Sequence, residues 1–227
     1  MKKVILSVGL FAMTLSAKAQ DLTFDAGLKG AYSATEMFNN NISNLGASQD
    51  YKMATGSNYG VALNANYGKI GLTVEFLSGT FNTGYQGTFG STAYTSNVAL
   101  KTFSVPILVK FGGQTGGYAE LGISTNSVKS ATYSVDQPVS NPLGGNNVGS
   151  SYKGFTTAVL GFGTKISLSD NLPLILNLGM RLQYGITDAA GVDALNYNLT
   201  SKAIYPTYEK SSAASIGLHV GVTYKIK

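Results

Sequence analysis

Few residues in this chain could do acid–base, nucleophilic or metal chemistry. Among its 227 residues there is one histidine, His219, and no cysteine. One imidazole without thiolates cannot fill a transition-metal shell unless several dispersed carboxylates join it. A general base must stand within hydrogen-bond reach of its target, and His219 sits in the apolar-alternating stretch SIGLHVGVTYKI without such a neighbour. No catalytic, cofactor or metal site is therefore expected, and His219 reads as a packed interior residue. The single arginine, Arg181, poses the sharper question, because it lies inside the apolar run LPLILNLGMRLQYGITD, Leu172 to Asp188.

A helix would spread Leu174, Leu176, Leu178, Met180, Leu182 and Tyr184 around its circumference, whereas a strand collects them on one face. Arg181 then belongs to the opposite face with Asn177, Gly179, Gln183 and Gly185. The same two-residue period recurs seven more times. It runs over 22–33, 58–67, 70–76, 103–111, 118–126, 157–168 and 215–226. In every strand the charges fall on the polar face: Asp25, Lys29, Glu75, Lys110, Glu120, Lys165, Arg181 and Lys225. Val98 and Leu100 are out of phase with Phe103, which predicts a bulge near Lys101 and Thr102.

The polar faces are mostly Gly, Ser, Thr and Asn with about one charge per strand. A soluble lipocalin-like barrel would turn that face to water and carry denser Lys and Glu there, so the composition suits a small crowded lumen. The apolar faces carry aromatics near the strand ends. Phe24, Tyr67, Phe111 and Tyr224 gather at one end and Tyr32, Tyr59, Phe76 and Tyr184 toward the other, as two interfacial girdles require. Short turns at Gly68–Lys69, GGQTGG and SDNLP alternate with long connections over 34–57, 82–97, 129–152 and 188–212. The expected fold is an all-β, eight-stranded antiparallel up-and-down transmembrane barrel with short periplasmic turns and four long extracellular loops.

The first residues fit export. Lys2 and Lys3 precede a short apolar core and an A-x-A site at Ala17–Ala19, the pattern of a cleaved signal peptide over 1–19, leaving residues 20–227 as the barrel. Removing the leader's three lysines lowers the formal charge from +5 to +2. The remaining basic residues are scattered, which is no footprint for nucleic acid.

FSVPILVKFGG, then GYAELGIS, then RLQYGITD, resemble the small outer-membrane β-barrel family common in Bacteroidetes, often called PorT-like. The resemblance implies the fold and an outer-membrane location, and its best-known member type assists a secretion system. It brings no single activity. Such barrels usually end in an aromatic residue read by the barrel-assembly machinery; here Gly221, Tyr224 and Ile226 keep the spacing but Lys227 follows.

Eight strands enclose only enough room for their own side chains. Arg181 must then be paired, with Glu75 and Glu120 as partners and Gly161 facing it across the hairpin. The alternative is a ring that sets ion selectivity in a narrow pore. In the outer loops Tyr51, Tyr85, Tyr94, Tyr133, Tyr152, Tyr197, Tyr205 and Tyr208 offer stacking surfaces for sugars or proteins. Three functions follow: a structural or interaction barrel, a narrow porin, and a rim-site hydrolase, the last opposed by the want of a rim histidine. The partners expected are outer-membrane lipid, the assembly machinery and envelope or secretion proteins, with the barrel itself a monomer and no cofactor.

Overall fold

Period-two alternation carries through nine strands: β1 (Leu22–Phe38), β2 (Asp50–Lys52), β3 (Ala54–Tyr67), β4 (Ile70–Phe89), β5 (Thr92–Gly112), β6 (Gly116–Val135), β7 (Phe155–Ser167), β8 (Leu174–Gly185) and β9 (Ser212–Lys225). One helical turn, α1 (Asn40–Ser43), follows β1. The structure is a computed structural model and describes residues 22–89, 91–136, 147–169, 171–191 and 208–226. The leader expected over 1–19, Tyr197 and Tyr205 lie outside the described residues.

Eight of the strands close a ring of antiparallel neighbours, β1-β3-β4-β5-β6-β7-β8-β9 and back to β1. The ninth, β2, is short and pairs only with the far end of β4, Tyr51 opposite Tyr85. Stepping between paired residues from Ala26 to Leu63, Val74, Ile107, Ile123, Ala158, Tyr184 and Ala214 returns to β1 at Glu36, ten residues further on. That stagger tilts the strands by about 35–45° and leaves an interior just wide enough for side chains.

The barrel is inside-out relative to a water-soluble one. Leu28 and Leu218 on the outer surface are 71% and 69% exposed, while Glu75 and Glu120 inside are 0% exposed. With one face of each strand apolar and the other turned to the lumen, closure leaves the eight-stranded ring without a free edge, the condition for crossing a hydrocarbon layer with strands.

At the turn end the hairpins are tight. Gly68 has a φ of 59°, a left-handed value suited to the first position of a two-residue hairpin turn. At the loop end the strands outrun the sequence reading. β1 continues to Phe38, β4 and β5 form one hairpin reaching Phe89 and Thr92, and β6 reaches Val135. Residues 34–38, 82–89, 92–97 and 129–135 are therefore paired strand, not loop. Their Thr, Ser and Asn resemble loop composition, but the alternating positions bury Met37, Tyr85, Val98, Leu100, Ala131 and Tyr133 in one apolar cluster that fills the loop-end mouth.

The register shift falls at Lys101/Thr102, although the extra residue is on the other strand. Lys101 faces Ser130 and Thr102 faces Val128, so Lys129 is the unpaired residue of β6. In β5 the alternation is unbroken: Val98, Leu100 and Thr102 are buried, Lys101 and Phe103 exposed. Val98 and Leu100 point inward because the lumen turns apolar at that level.

Candidate functional site

Alternation sends Lys29, Glu75, Lys110, Glu120 and Arg181 to the same level of the lumen, each at most 8% exposed. The Glu75 carboxylate accepts two hydrogen bonds from Arg181, from Nη1 at 2.7 Å and Nη2 at 2.8 Å. Arg181 Nε donates to Glu120 Oε1. Lys29 Nζ donates to Glu75 Oε1 at 2.7 Å, and Lys110 Nζ lies 3.7 Å from Glu120 Oε2. Three cations thus share two carboxylates across the full width of the lumen. Charges taken from water this completely persist only when their partners are placed this well; the fork of a guanidinium suits a bidentate carboxylate.

Glycines make the room. Gly161 pairs with Arg181, and a Cβ on Gly161 would stand 2.6 Å from Glu120 Oε1. A Cβ on Gly179 would likewise meet the His219 ring at 2.6 Å. His219 is buried, with Nε2 2.8 Å from the Tyr118 hydroxyl. Lys110 and Lys165 sit over the face of the same Tyr118 ring, 5.1 and 5.8 Å from its centre. Tyr118 was not singled out from sequence, yet it shares the parity of Glu120 on β6, which is the signal that places it inside.

Toward the turn end lies a second polar layer. Asp25 accepts from the Asn64 and Asn66 side-chain amides, Lys225 donates to Gln114, and Lys165 reaches the Gly113 carbonyl at 3.4 Å. Asp25, Lys165 and Lys225 therefore belong to this layer and not to the arginine cluster.

Toward the loop end the cluster borders a cavity of about 40 Å³, lined by Ser33, Asn58, Ser104, Asn126 and Gln183 among others. That is space for about three waters. Beyond it Phe81 and Phe155 meet edge to face, ring centres 5.5 Å apart, against the apolar cluster of the mouth. The lumen is closed twice, once by ions and once by hydrocarbon.

The tyrosines expected as an outward binding palette mostly serve that second closure. Tyr85, Tyr94, Tyr133 and Tyr152 are buried and Tyr51 is half-buried, whereas Tyr208 is exposed. An aromatic ring at an inward position of a paired strand gains more from packing than from solvent. The phenol of Tyr152 is pushed well above its ordinary range by burial, with Tyr85 and Glu36 adding to it.

Around this lid two clasps join distant segments. Tyr51 Oη donates to the Asn39 carbonyl and accepts from the Asn39 amide, both at 2.7 Å, and Asn39 Nδ2 donates to the Glu209 carbonyl at 2.8 Å. Asp188 Oδ1 accepts from the amides of Ala190 and Ser211, each at 2.9 Å, and Asp188 Oδ2 from the Tyr208 hydroxyl. The bond to Ala190 anchors a left-handed residue, φ 55°, where glycine is usual. Burial opposes the charge on Asp188, but these hydrogen bonds, with Lys153 nearby, hold its carboxyl below the ordinary carboxylate range.

On the outside, Phe24, Tyr67, Phe111 and Tyr224 are exposed near the turn end and Tyr32, Tyr59, Phe76 and Tyr184 nearer the loop end. Phe103, exposed, joins the second group: it lies eight residues along β5 from Phe111, as Tyr32 lies from Phe24 on β1 and Tyr59 from Tyr67 on β3.

A closed eight-stranded antiparallel ring with a hydrocarbon exterior and an ion-paired interior defines a transmembrane β-barrel. The chain is similar in fold to Neisserial surface protein A, at 14% identity over 88% of this chain and 96% of that one, with a TM-score of 0.43. It is also similar to Ail, the attachment invasion locus protein of Yersinia pestis, solved with the heparin analogue sucrose octasulfate: 12% identity, 88% and 99% coverage, TM-score 0.38. A third likeness is the translocator domain of the autotransporter NalP from Neisseria meningitidis, at 10% identity, 98% and 97% coverage and TM-score 0.32. No protein-family model and no curated protein matches the chain.

Proposed function

We propose that this chain is an exported outer-membrane barrel, with a leader over 1–19, that works as a structural and interaction barrel and not as a conduit. The single observation that carries this reading is the double closure of the lumen, by the Arg181–Glu75–Glu120 cluster and by the Phe81–Phe155 lid. A charged cluster this well paired would cost several kcal/mol to open for a passing solute. The hydrocarbon exterior and the paired aromatic levels support a membrane position, with the turns in the periplasm and the clasped loops outside. The stretches around Pro106, Glu120 and Arg181 support kinship with the PorT-like barrels.

With its mouth filled, the barrel can meet partners through its rim, through Tyr208 and neighbouring exposed loop residues, or through its periplasmic turns. Envelope or secretion proteins are the class proposed. Planar-bilayer recording tests the reading: the purified barrel should give no steady unitary conductance. Steady conductance whose ion selectivity changes in Arg181→Met would establish a narrow porin instead. Crosslinking on intact outer membrane, followed by capture of the barrel, then reads which envelope protein it touches.

A further inference from the structure

We propose that Lys101 and Lys129 clamp the phosphate of a phosphorylated lipid in the leaflet at the loop end, an inference that rests on the outer-membrane reading above. Of the charged residues on the eight ring strands, every other one is directed into the lumen or is buried; only Lys101 and Lys129 are exposed on the exterior. They also meet at one place. Lys129 is the extra residue of the single register shift, inserted opposite the Lys101–Thr102 step. Continued regularly, the turn-side register in which Thr102 faces Val128 would set Lys129 directly opposite Lys101; the bulge leaves Lys129 unpaired at that step, still on the exterior beside the Lys101 strand.

Their depth fits a headgroup. Phe103 stands in the outer aromatic level, and Lys101 lies one exposed position beyond it. Two residues at a strand tilt near 45° carry it about 5 Å past the aromatic level, where lipid hydrocarbon gives way to headgroups. Lys129 Nζ is 5.8 Å from the centre of the Phe103 ring, its stem lying along the barrel wall. Among the described residues neither lysine has a carboxylate partner, the ion pairs being confined to the lumen. Two adjacent cations on neighbouring strands repel. A phosphomonoester, carrying about −1.5 to −2 charge at pH 7 and three strong acceptor oxygens, matches two ammoniums at that position.

The test uses the folded barrel in nonionic detergent, with native mass spectrometry against bis-phosphorylated lipid A, its dephosphorylated form and inorganic phosphate. Lys101→Gln and Lys129→Gln should each weaken retention of the phosphorylated lipid roughly fivefold, and the double variant roughly twenty-five-fold. The dephosphorylated lipid should bind wild type no better than the phosphorylated lipid binds the double variant. Lys52→Gln and Lys153→Gln, elsewhere at the loop end, should leave retention unchanged. A Lys101→Arg/Lys129→Arg variant should restore it, which separates lost charge from lost folding.

Equal affinity of wild type and folded double variant overturns the clamp. Lysine-dependent retention of inorganic phosphate as tight as that of the lipid overturns the lipid assignment. Flotation with phosphatidylcholine vesicles keeps the two readings apart: a barrel that never floats overturns the membrane reading itself, whereas one that floats but shows no lysine-dependent preference for the phosphorylated lipid in the mass spectra overturns the clamp alone.

Discussion

Gly161 faces Arg181 across the β7–β8 pair, and the missing Cβ is the space that the Glu120 carboxylate occupies to reach the guanidinium. One hydrogen atom in place of a methyl therefore decides whether the cluster closes. Gly117, on the outer face of β6 near the turn, has no such neighbour, the nearest atom lying 4.0 Å from where its Cβ would stand.

Gly161→Ala should displace Glu120 from Arg181 and lower stability by about 1.5–3 kcal/mol, the worth of a charged hydrogen bond. Gly117→Ala should change it by less than about 0.5 kcal/mol. Urea titration of both variants in micelles reads the difference, and equal losses would contradict the cavity assignment.

Charge counting ranks the members of the cluster. Removing Arg181 leaves Lys29 and Lys110 against Glu75 and Glu120, a balanced set, whereas removing the Glu75 charge leaves three cations facing one carboxylate. Glu75→Gln should therefore cost about 3–5 kcal/mol and Arg181→Met less. Combining the two should give a loss smaller than their sum, since Arg181→Met takes away one of the cations that Glu75→Gln leaves in excess. Additive losses in the double-mutant cycle would show that the pair is not coupled.

Facing can be tested on a single strand. Met180 is on the outside of β8 and Asn177, which donates to Thr223 Oγ1, is on the inside. In bilayers Met180→Arg should destabilise by about 2–4 kcal/mol. Asn177→Lys, next to a polar layer that already holds Lys165 and Lys225, should cost less. Guanidinium unfolding from lipid vesicles reads both losses, and equal losses would contradict the facing assignment.

The Asp188 clasp should be indifferent to pH until strongly acid conditions. Its folded carboxyl titrates below the unfolded value, so its stabilisation is fully present above the unfolded pKa of about 4 and is lost as pH falls through the lower folded value. Hydrogen exchange at the Ser211 amide, corrected for intrinsic rates, should stay slow from pH 8 to about 5 and rise only below about pH 4. In Asp188→Asn it should be fast throughout, with no acid step.

The eight inward charges were legible because alternation is local: the pleat puts residues i and i+2 on one side whatever strand comes next. Arg181 faces the lumen for the same reason that Leu178 and Met180 do not, and the short SDNLP turn sets Gly161 opposite it before any other strand is considered. Closure decided the rest. Which carboxylates meet Arg181 depends on a ten-residue stagger accumulated over eight pairings, which no single hairpin records. The phase change between Leu100 and Phe103 is the lumen turning apolar along an unbroken β5, whereas the register shift beside it comes from Lys129 of β6; a shift belongs to a pair, and the pattern of one strand cannot say which partner carries it. The tyrosines near the mouth have loop-like neighbours in sequence; they became a lid because closing the ring brought β4, β5, β6 and the segments around Ile42 and Val148 over one another. Local sequence determined which side each residue takes. Only the closed barrel, where distances between non-adjacent strands are fixed together, determined what each residue touches.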